Sequence, residues 1–267
     1  MNLLKRELAP VTENAWREID AEARRVLRLA LAGRRVVDVD GPHGWTMGAV
    51  NTGRLDLLDE PLEEGVPAGR RRCLPLAEVR LPILLPLMEL DCIERGAADI
   101  DLEPVARSAE RLATVENRAI FSGFDSLQIR GIVPAATIPT ERLPESAAAY
   151  PDTVSAAREQ LQGRGVIGPY ALALGPREFQ QLSRADEDGY PARKHVEQVV
   201  DGPVVRVASL DGGVLLSLRG GDHVLTLGQD ASIGYAAHDR DSVELFLTQS
   251  FTFEVRDPGA AVVLARA

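Results

Sequence analysis

The sequence predicts an α+β chain: a helical N-terminus, a projecting arm and a small inserted unit attached to a helix-and-sheet body. Three observations lead there. Trp16, Ile19, Ala23, Val26, Leu27 and Ala30 recur three and four apart, the pattern of one apolar helix face. The stretch 43–80 is broken by Gly44, Gly48, Gly53, Pro61, Gly65, Pro67 and Gly69 and holds little apolar content. Val243, Leu245, Leu247, Gln249, Phe251, Phe253 and Val255 occupy alternate positions. That period describes a long half-buried strand, or two strands joined by a bend.

Each element follows from local signals. Pro10-Val11-Thr12 supplies a stop and an N-cap for the first helix. Glu13 and Glu18 lie near its start and Arg24, Arg25 and Arg28 near its end, the order its dipole favours. Gly33 is placed to close it in the C′ role, and 34–39 reads as a short strand. Pieces 46–57 and 72–81 read as the two strands of a long hairpin arm. An arm of that length needs a surface to rest on, and another subunit is the natural one; a plain surface loop is the alternative. A short helix follows Pro86 and ends at Gly96. A longer one follows Asp101, striped by Leu102, Val105, Ala109, Leu112, Ala113, Val115 and Ala119, and stops at Ser122-Gly123. Residues 131–151 shift to Pro, Ala, Thr and Ser, the composition of a crossover. Residues 152–225 then read as a small mixed unit: helix 153–162, strand 170–174, a helix from Pro176, a polar loop 184–191, and strands near 204–207 and 213–218.

Composition narrows the function. The 267 residues suffice for one large or two small cores. With 45% hydrophobic and 26% charged residues, the chain is not of the disordered kind. Its 30 Lys and Arg against 40 Asp and Glu give a net charge of -10. That argues against broad binding to nucleic acid or an anionic membrane, though a local basic patch stays open. Cys73 and Cys92 fit a reducing cytoplasm and are too few for a structural zinc site. No secretory signal is visible at the N-terminus, and no apolar run approaches membrane-spanning length.

Residues 163–168 match G-x-G-x-x-G, but a helix precedes and a strand follows, the reverse of what phosphate binding requires. Lys5 and Lys194 are the only lysines, and neither stands in a P-loop. His43, His195, His223 and His238 are scattered, with no H-E-x-x-H and no G-x-S-x-G. His238-Asp239-Arg240-Asp241 reads as a polar turn, with metal ligation as the alternative. Arg70-Arg71-Arg72 reads as a solvated face or an intersubunit ion-pair donor, with an anion patch as the alternative. A Ser-His-acid triad can be assembled by folding alone, so a hydrolase or protease stands as the reading of another class; no spacing supports it. By elimination, the plan suits a subunit built for assembly.

Several segments together carry a resemblance. Residues 8–13 followed by Trp16 and Ile19, Gly33 to Val39, Glu94-Arg95-Gly96, and Glu116, Ile120, Phe121 and Gly123 form its first half. Gly168-Pro169-Tyr170, Gly189-Tyr190-Pro191, Arg219-Gly220-Gly221-Asp222, 227–230, Ile233-Gly234-Tyr235 and Phe251-Thr252-Phe253 form its second. In this order, along nearly the whole chain, they resemble the encapsulins, also described as linocin-type bacteriocins. The resemblance implies the fold of tailed-phage major capsid proteins. Residues 1–42 would be the N-terminal helix and first strand, 43–80 the extended arm, 81–133 and 226–267 the peripheral domain, and 134–225 the axial domain.

The resemblance also implies a function. Such chains form hollow icosahedral shells, here of about sixty copies, in the prokaryotic cytoplasm. The shell encloses a cargo enzyme, a dye-decolorising peroxidase or a ferritin-like protein of iron storage or oxidative stress. Cargo is held by a short C-terminal targeting peptide; no nucleic acid, membrane, catalytic or metal site is expected. Arg34, Val36 and Asp38, with Ile233 and Tyr235, are the implied peptide-binding residues, while a local ion pair is the plainer reading of Arg34 and Asp38. Asp186, Glu187, Asp188, Gly189 and Tyr190 match the pore loop at the fivefold axis, where a carboxylate ring would favour cations; a solvated loop is the plainer reading. Some relatives stack a flavin on an aromatic ring after the arm. Met88 stands there, with Arg80 nearby, so no cofactor is expected. A phage or prophage major capsid protein is the nearest alternative, and the N-terminal helix argues against it.

Overall fold

The structure is a computed structural model that describes residues 3–187 and 189–266, and of Glu187 the backbone alone. Thr12 caps the first helix: its hydroxyl oxygen accepts from the Ala15 N–H at 3.2 Å, and α1 spans Glu13–Ala30. Its buried face carries Ala15, Ile19, Ala23 and Val26. Gly33 does not end the helix in a left-handed C′ conformation. It opens a short 3-10 turn, Gly33–Arg35. Its missing side chain is needed for close approach, since a Cβ would stand 2.5 Å from Ile120 Cδ1. The predicted strand over 34–39 shrinks accordingly to β1, Asp38–Asp40.

The remaining elements run in order. β2 (Ala49–Leu57), β3 (Gly69–Pro75) and β4 (Ala77–Pro86) precede α2 (Leu87–Glu94) and α3 (Glu103–Phe121). β5 (Gly123–Phe124), β6 (Ile129–Arg130), α4 (Ile132–Ala135) and β7 (Glu141–Leu143) lead into α5 (Tyr150–Gly163). β8 (Tyr170–Leu174), α6 (Pro176–Arg184), β9 (Asp186–Glu187), β10 (Tyr190–Pro191) and α7 (Ala192–Val200) follow. The chain closes with β11 (Val204–Arg206), β12 (Gly213–Ser217), β13 (His223–Leu227), β14 (Ser232–His238), β15 (Ser242–Val255) and β16 (Ala261–Arg266).

Among the described residues β2 and β3 pair only with each other, as the hairpin reading requires. The arm is shorter at its second strand than predicted. Its ladder ends at Pro75, and Ala77 begins a new strand that belongs to the body. The reason is legible in the burial of β4: Ala77, Leu81, Ile83 and Leu85 all turn inward. Pro82 and Pro86 fit there because β4 is an edge strand, paired on one side alone.

Two five-stranded sheets organise the rest. In the first, β15 is central: β4 lies along one side, β13 and β14 follow end to end along the other, and β1 runs parallel to β13. The second has the order β11-β8-β12-β16-β7. The last strand therefore completes the small unit, although the sequence reading assigns 226–267 to the body. Ala261 turns to the layer between the sheets, while Val262 and Leu264 turn into the small unit's own core.

β15 is buried on both faces through its middle, not half-buried. Phe246, Thr248, Ser250 and Thr252 are buried beside Leu247, Gln249 and Phe251. Thr248 and Ser250 find partners, as buried polar groups generally do. Thr248 Oγ1 donates to the Val79 carbonyl at 2.9 Å, and Ser250 Oγ accepts from the Gln229 N–H at 2.8 Å. Arg80 covers the Phe246 ring at 3.4 Å. Phe251 has no exposed surface and lies where α3, the first sheet and the second sheet meet. Phe251→Ala is expected to cost about 3–5 kcal/mol, read as a lower denaturant midpoint; an unchanged midpoint contradicts this packing.

Candidate functional site: a groove beside the first helix

A groove of about 470 Å³ runs between α1, the segment Leu4–Arg6 and the turn 230–233. Its floor is apolar: Ala23, Leu27 and Leu31 from the first helix and its end, Ile233 and Leu247 from the sheet. The helix stripe that buries Ile19 and Val26 leaves Leu27 and Leu31 half-buried at its flank, which is why a groove forms there. The N-terminal segment is stapled over one end. Arg6 donates to both Asp20 oxygens at 2.8 Å and stacks on the Trp16 ring at 3.9 Å. Farther on, the Tyr235 N–H donates to the Leu4 carbonyl at 2.8 Å.

Arg34 stands in the groove wall with its donors already engaged. Nε and Nη2 bind the Glu116 carboxylate at 2.8 and 2.6 Å, and Nη2 and Nη1 bind Asp230 at 2.8 and 3.2 Å. Glu116 has no exposed surface and also accepts from Gln249 Nε2. Burial works against the Arg34 charge, but the hydrogen bonds and charges of Glu116 and Asp230 outweigh it and raise its pKa. Burial likewise works against the Asp230 carboxylate, and the Arg34 contacts with the Ala231 N–H hold it below its ordinary value. Asn117 sets the turn that presents Arg34: it accepts from the Gly33 N–H and donates to the Ala30 carbonyl, both at 2.8 Å.

The structure divides the five predicted peptide residues. Arg34 and Ile233 line the groove. Val36 is buried in the layer between the sheets and does not line the groove. Asp38 lies in a separate crevice and accepts from the Gly221 N–H at 2.6 Å. Tyr235 sits outside the groove lining, with its hydroxyl 2.6 Å from His238 Nδ1. Sequence reasoning missed Leu27, Leu31, Arg24 and Arg28. The signal was present in the first helix: Leu27 and Leu31, and Arg24 and Arg28, are each four apart and so share a flank.

The other motifs fall as follows. β9 and β10 form a tight hairpin between α6 and α7, with Asp186 exposed and Gly189 at φ +86°. Tyr190 Oη accepts from Gln198 Nε2 at 3.3 Å. Asp188 lies outside the described residues. The glycines at 163–168 form the helix-to-strand turn that their order predicts. Asp239 Oδ1 accepts from the Asp241 and Ser242 N–H groups at 2.8 and 2.7 Å, closing the polar turn before β15. Among the described residues no group of three metal-ligating side chains converges, and no helix is long and apolar enough to cross a membrane.

Comparison with known proteins places this architecture. A virus-like particle from Pyrococcus furiosus superposes with a TM-score of 0.61 over 91% of this chain and 98% of that one, at 15% identity. The capsid of Myoviridae phage XM1 gives 0.57 over 90% and 92%, at 10% identity. The fold is therefore that of tailed-phage major capsid proteins. A family model described as an encapsulating protein for peroxidase matches residues 1–252. The type 1 encapsulin shell protein of Mycobacterium tuberculosis is 44% identical over 99% of this chain and 100% of its own length. The chain belongs to the encapsulin shell protein family. It is structural rather than catalytic, and its kind assembles into capsid-like shells.

Removing Arg34 leaves Glu116 charged and buried without a cationic partner. Arg34→Ala is expected to cost about 3–5 kcal/mol, and adding Glu116→Gln to return part of it. Thermal unfolding of both variants checks this; an Arg34→Ala protein as stable as its parent contradicts it.

Proposed function

We propose that the chain builds a closed icosahedral shell of about sixty copies in a prokaryotic cytoplasm. Its groove beside α1 faces the lumen and holds the C-terminal peptide of an enclosed enzyme. The observation that carries this reading is the groove itself: an apolar floor with Arg6 and Arg34 on its walls already paired to carboxylates. Such a surface takes apolar side chains of a short peptide without first breaking strong ion pairs. A peroxidase is the favoured cargo, because the family model is described by one; a ferritin-like protein of iron storage is the second. Free Cys73 and Cys92 suit a reducing compartment.

The arm supports self-assembly. Leu55 and Leu57 are 55% and 73% exposed on a two-stranded ladder that has no other strand beside it among the described residues, and Leu62, in the connection at its tip, is 69% exposed. A hairpin of that kind is marginal by itself, and a neighbouring copy covers it. Its tip carries the acids Asp59, Glu60, Glu63 and Glu64, while its ladder carries Arg54, Arg70, Arg71 and Arg72, of which Arg72 is paired with Asp56; the unequal charge of tip and ladder orients that contact. In this reading the unit built on the second sheet is the axial domain, and the β9–β10 hairpin surrounds the fivefold pore. Repeated copies of Asp186, Glu187 and Asp188 would there favour cations. Met88, 64% exposed and without a ring, gives a flavin nothing to stack on, and Arg80 is engaged by Phe246.

The test is co-expression with a fluorescent protein carrying the C-terminal tail of a co-encoded peroxidase. Intact shells should sediment with the fluorescence. Leu27→Asp should leave shells intact and cut loading at least about tenfold, the effect of ~1.4 kcal/mol. Undiminished loading overturns the groove as the peptide site.

A further inference from the structure

Besides the long helical passage from β4 to β7, two short links carry the chain between its sheets: 218–222 joins β12 to β13, and 256–260 joins β15 to β16. They are clasped together. Arg219 on the first binds both Asp222 oxygens at 2.8 Å and reaches Asp257 on the second at 2.6 Å. The Arg256 N–H donates to the Asp222 carbonyl at 2.8 Å. The Gly221 N–H donates to Asp38 Oδ2 at 2.6 Å, which fastens the same link to β1.

His223 is the first residue after this link. It is 3% exposed and lies in a crevice of about 60 Å³ with Asp38 and Asp222. Its Nε2 has no hydrogen-bond partner among the described residues. A neutral ring is tolerated there; a charged one needs a carboxylate or water. The nearest carboxylates are the ones that hold the clasp.

We propose that His223 is an acid trigger on this clasp: protonating its ring draws Asp222 and Asp38 from Arg219 and Gly221 and frees the two sheets to move against each other. The charged groups facing the ring are Asp222 and Arg219 on the first link, Asp257 on the second and Asp38 on β1, with Arg35 on the crevice wall. Burial outweighs the three carboxylates, and with Arg219 it keeps the imidazole below its ordinary value of 6.5. The sign follows. The clasp is at full strength above that value and weakens as pH falls through the lower folded one, because the opened form binds the proton better. Between the two values, opening rises by up to about tenfold per pH unit.

Hydrogen exchange of the full-length chain, read by mass spectrometry from about pH 7.5 to about pH 5, tests this. After correction for intrinsic rates, amides in 218–222 and 256–260 should exchange progressively faster as pH falls, and His223→Phe should abolish the increase. Exchange at the imidazole C2 of the natural chain should place the His223 midpoint below that of free histidine. Links indifferent to pH, an equal response in His223→Phe, or a midpoint at or above the ordinary value would each overturn the proposal. The C2 titration decides the matter even where His223→Phe does not assemble.

Discussion

Glu116 sits on α3 with no exposed surface; Arg34 and Gln249 bind it, and Arg34 ties in the turn at Asp230. A carboxylate removed from water costs several kcal/mol unless it is paired and hydrogen-bonded. Meeting that requirement draws together four parts of the chain: α3, β15, the turn after α1, and the turn between β13 and β14. Asn117, one residue on, secures Gly33 and the end of α1. The first helix is therefore fixed at its C-terminal end, and the groove along its flank is a consequence of that position.

Much of this was legible in the sequence. The spacing of Trp16 to Ala30 gave α1, and the glycines and prolines of 43–80 gave an arm detached from the core. What escaped was tertiary in origin. Thr248, Ser250 and Thr252 look like a solvent face because they are polar, yet all three are buried, and the first two bond to the Val79 carbonyl and the Gln229 N–H. The piece 72–81 reads as one strand of the arm, yet from Ala77 the chain belongs to an edge strand of the body that accommodates both Pro82 and Pro86. Arg34 looks like a surface cation near a helix end. Only the fold reveals that Glu116, 82 positions away, has claimed it. Of the residues that the resemblance implies, Arg34 and Ile233 line the groove, whereas Val36 and Asp38 neighbour Arg34 in sequence and lie elsewhere in space.

The exposed apolar surface that remains is concentrated where a shell subunit needs partners. The body buries both faces of β15, and the small unit buries Leu172, Val196 and Leu215 in its own core. Leucines stay uncovered on the arm, and an apolar floor stays open beside α1. Between body and small unit the chain passes through clasped links, so the two share the layer around Phe251 and are held in register by Arg219.

The central claim is that this chain closes into a shell with α1 on the inside. Electron cryomicroscopy of the purified full-length protein tests it most directly. The expected result is a hollow closed particle, with each arm resting on a neighbouring copy and the groove beside α1 opening into the lumen. A monomer in solution, or a particle that carries α1 on its outer face, would contradict it.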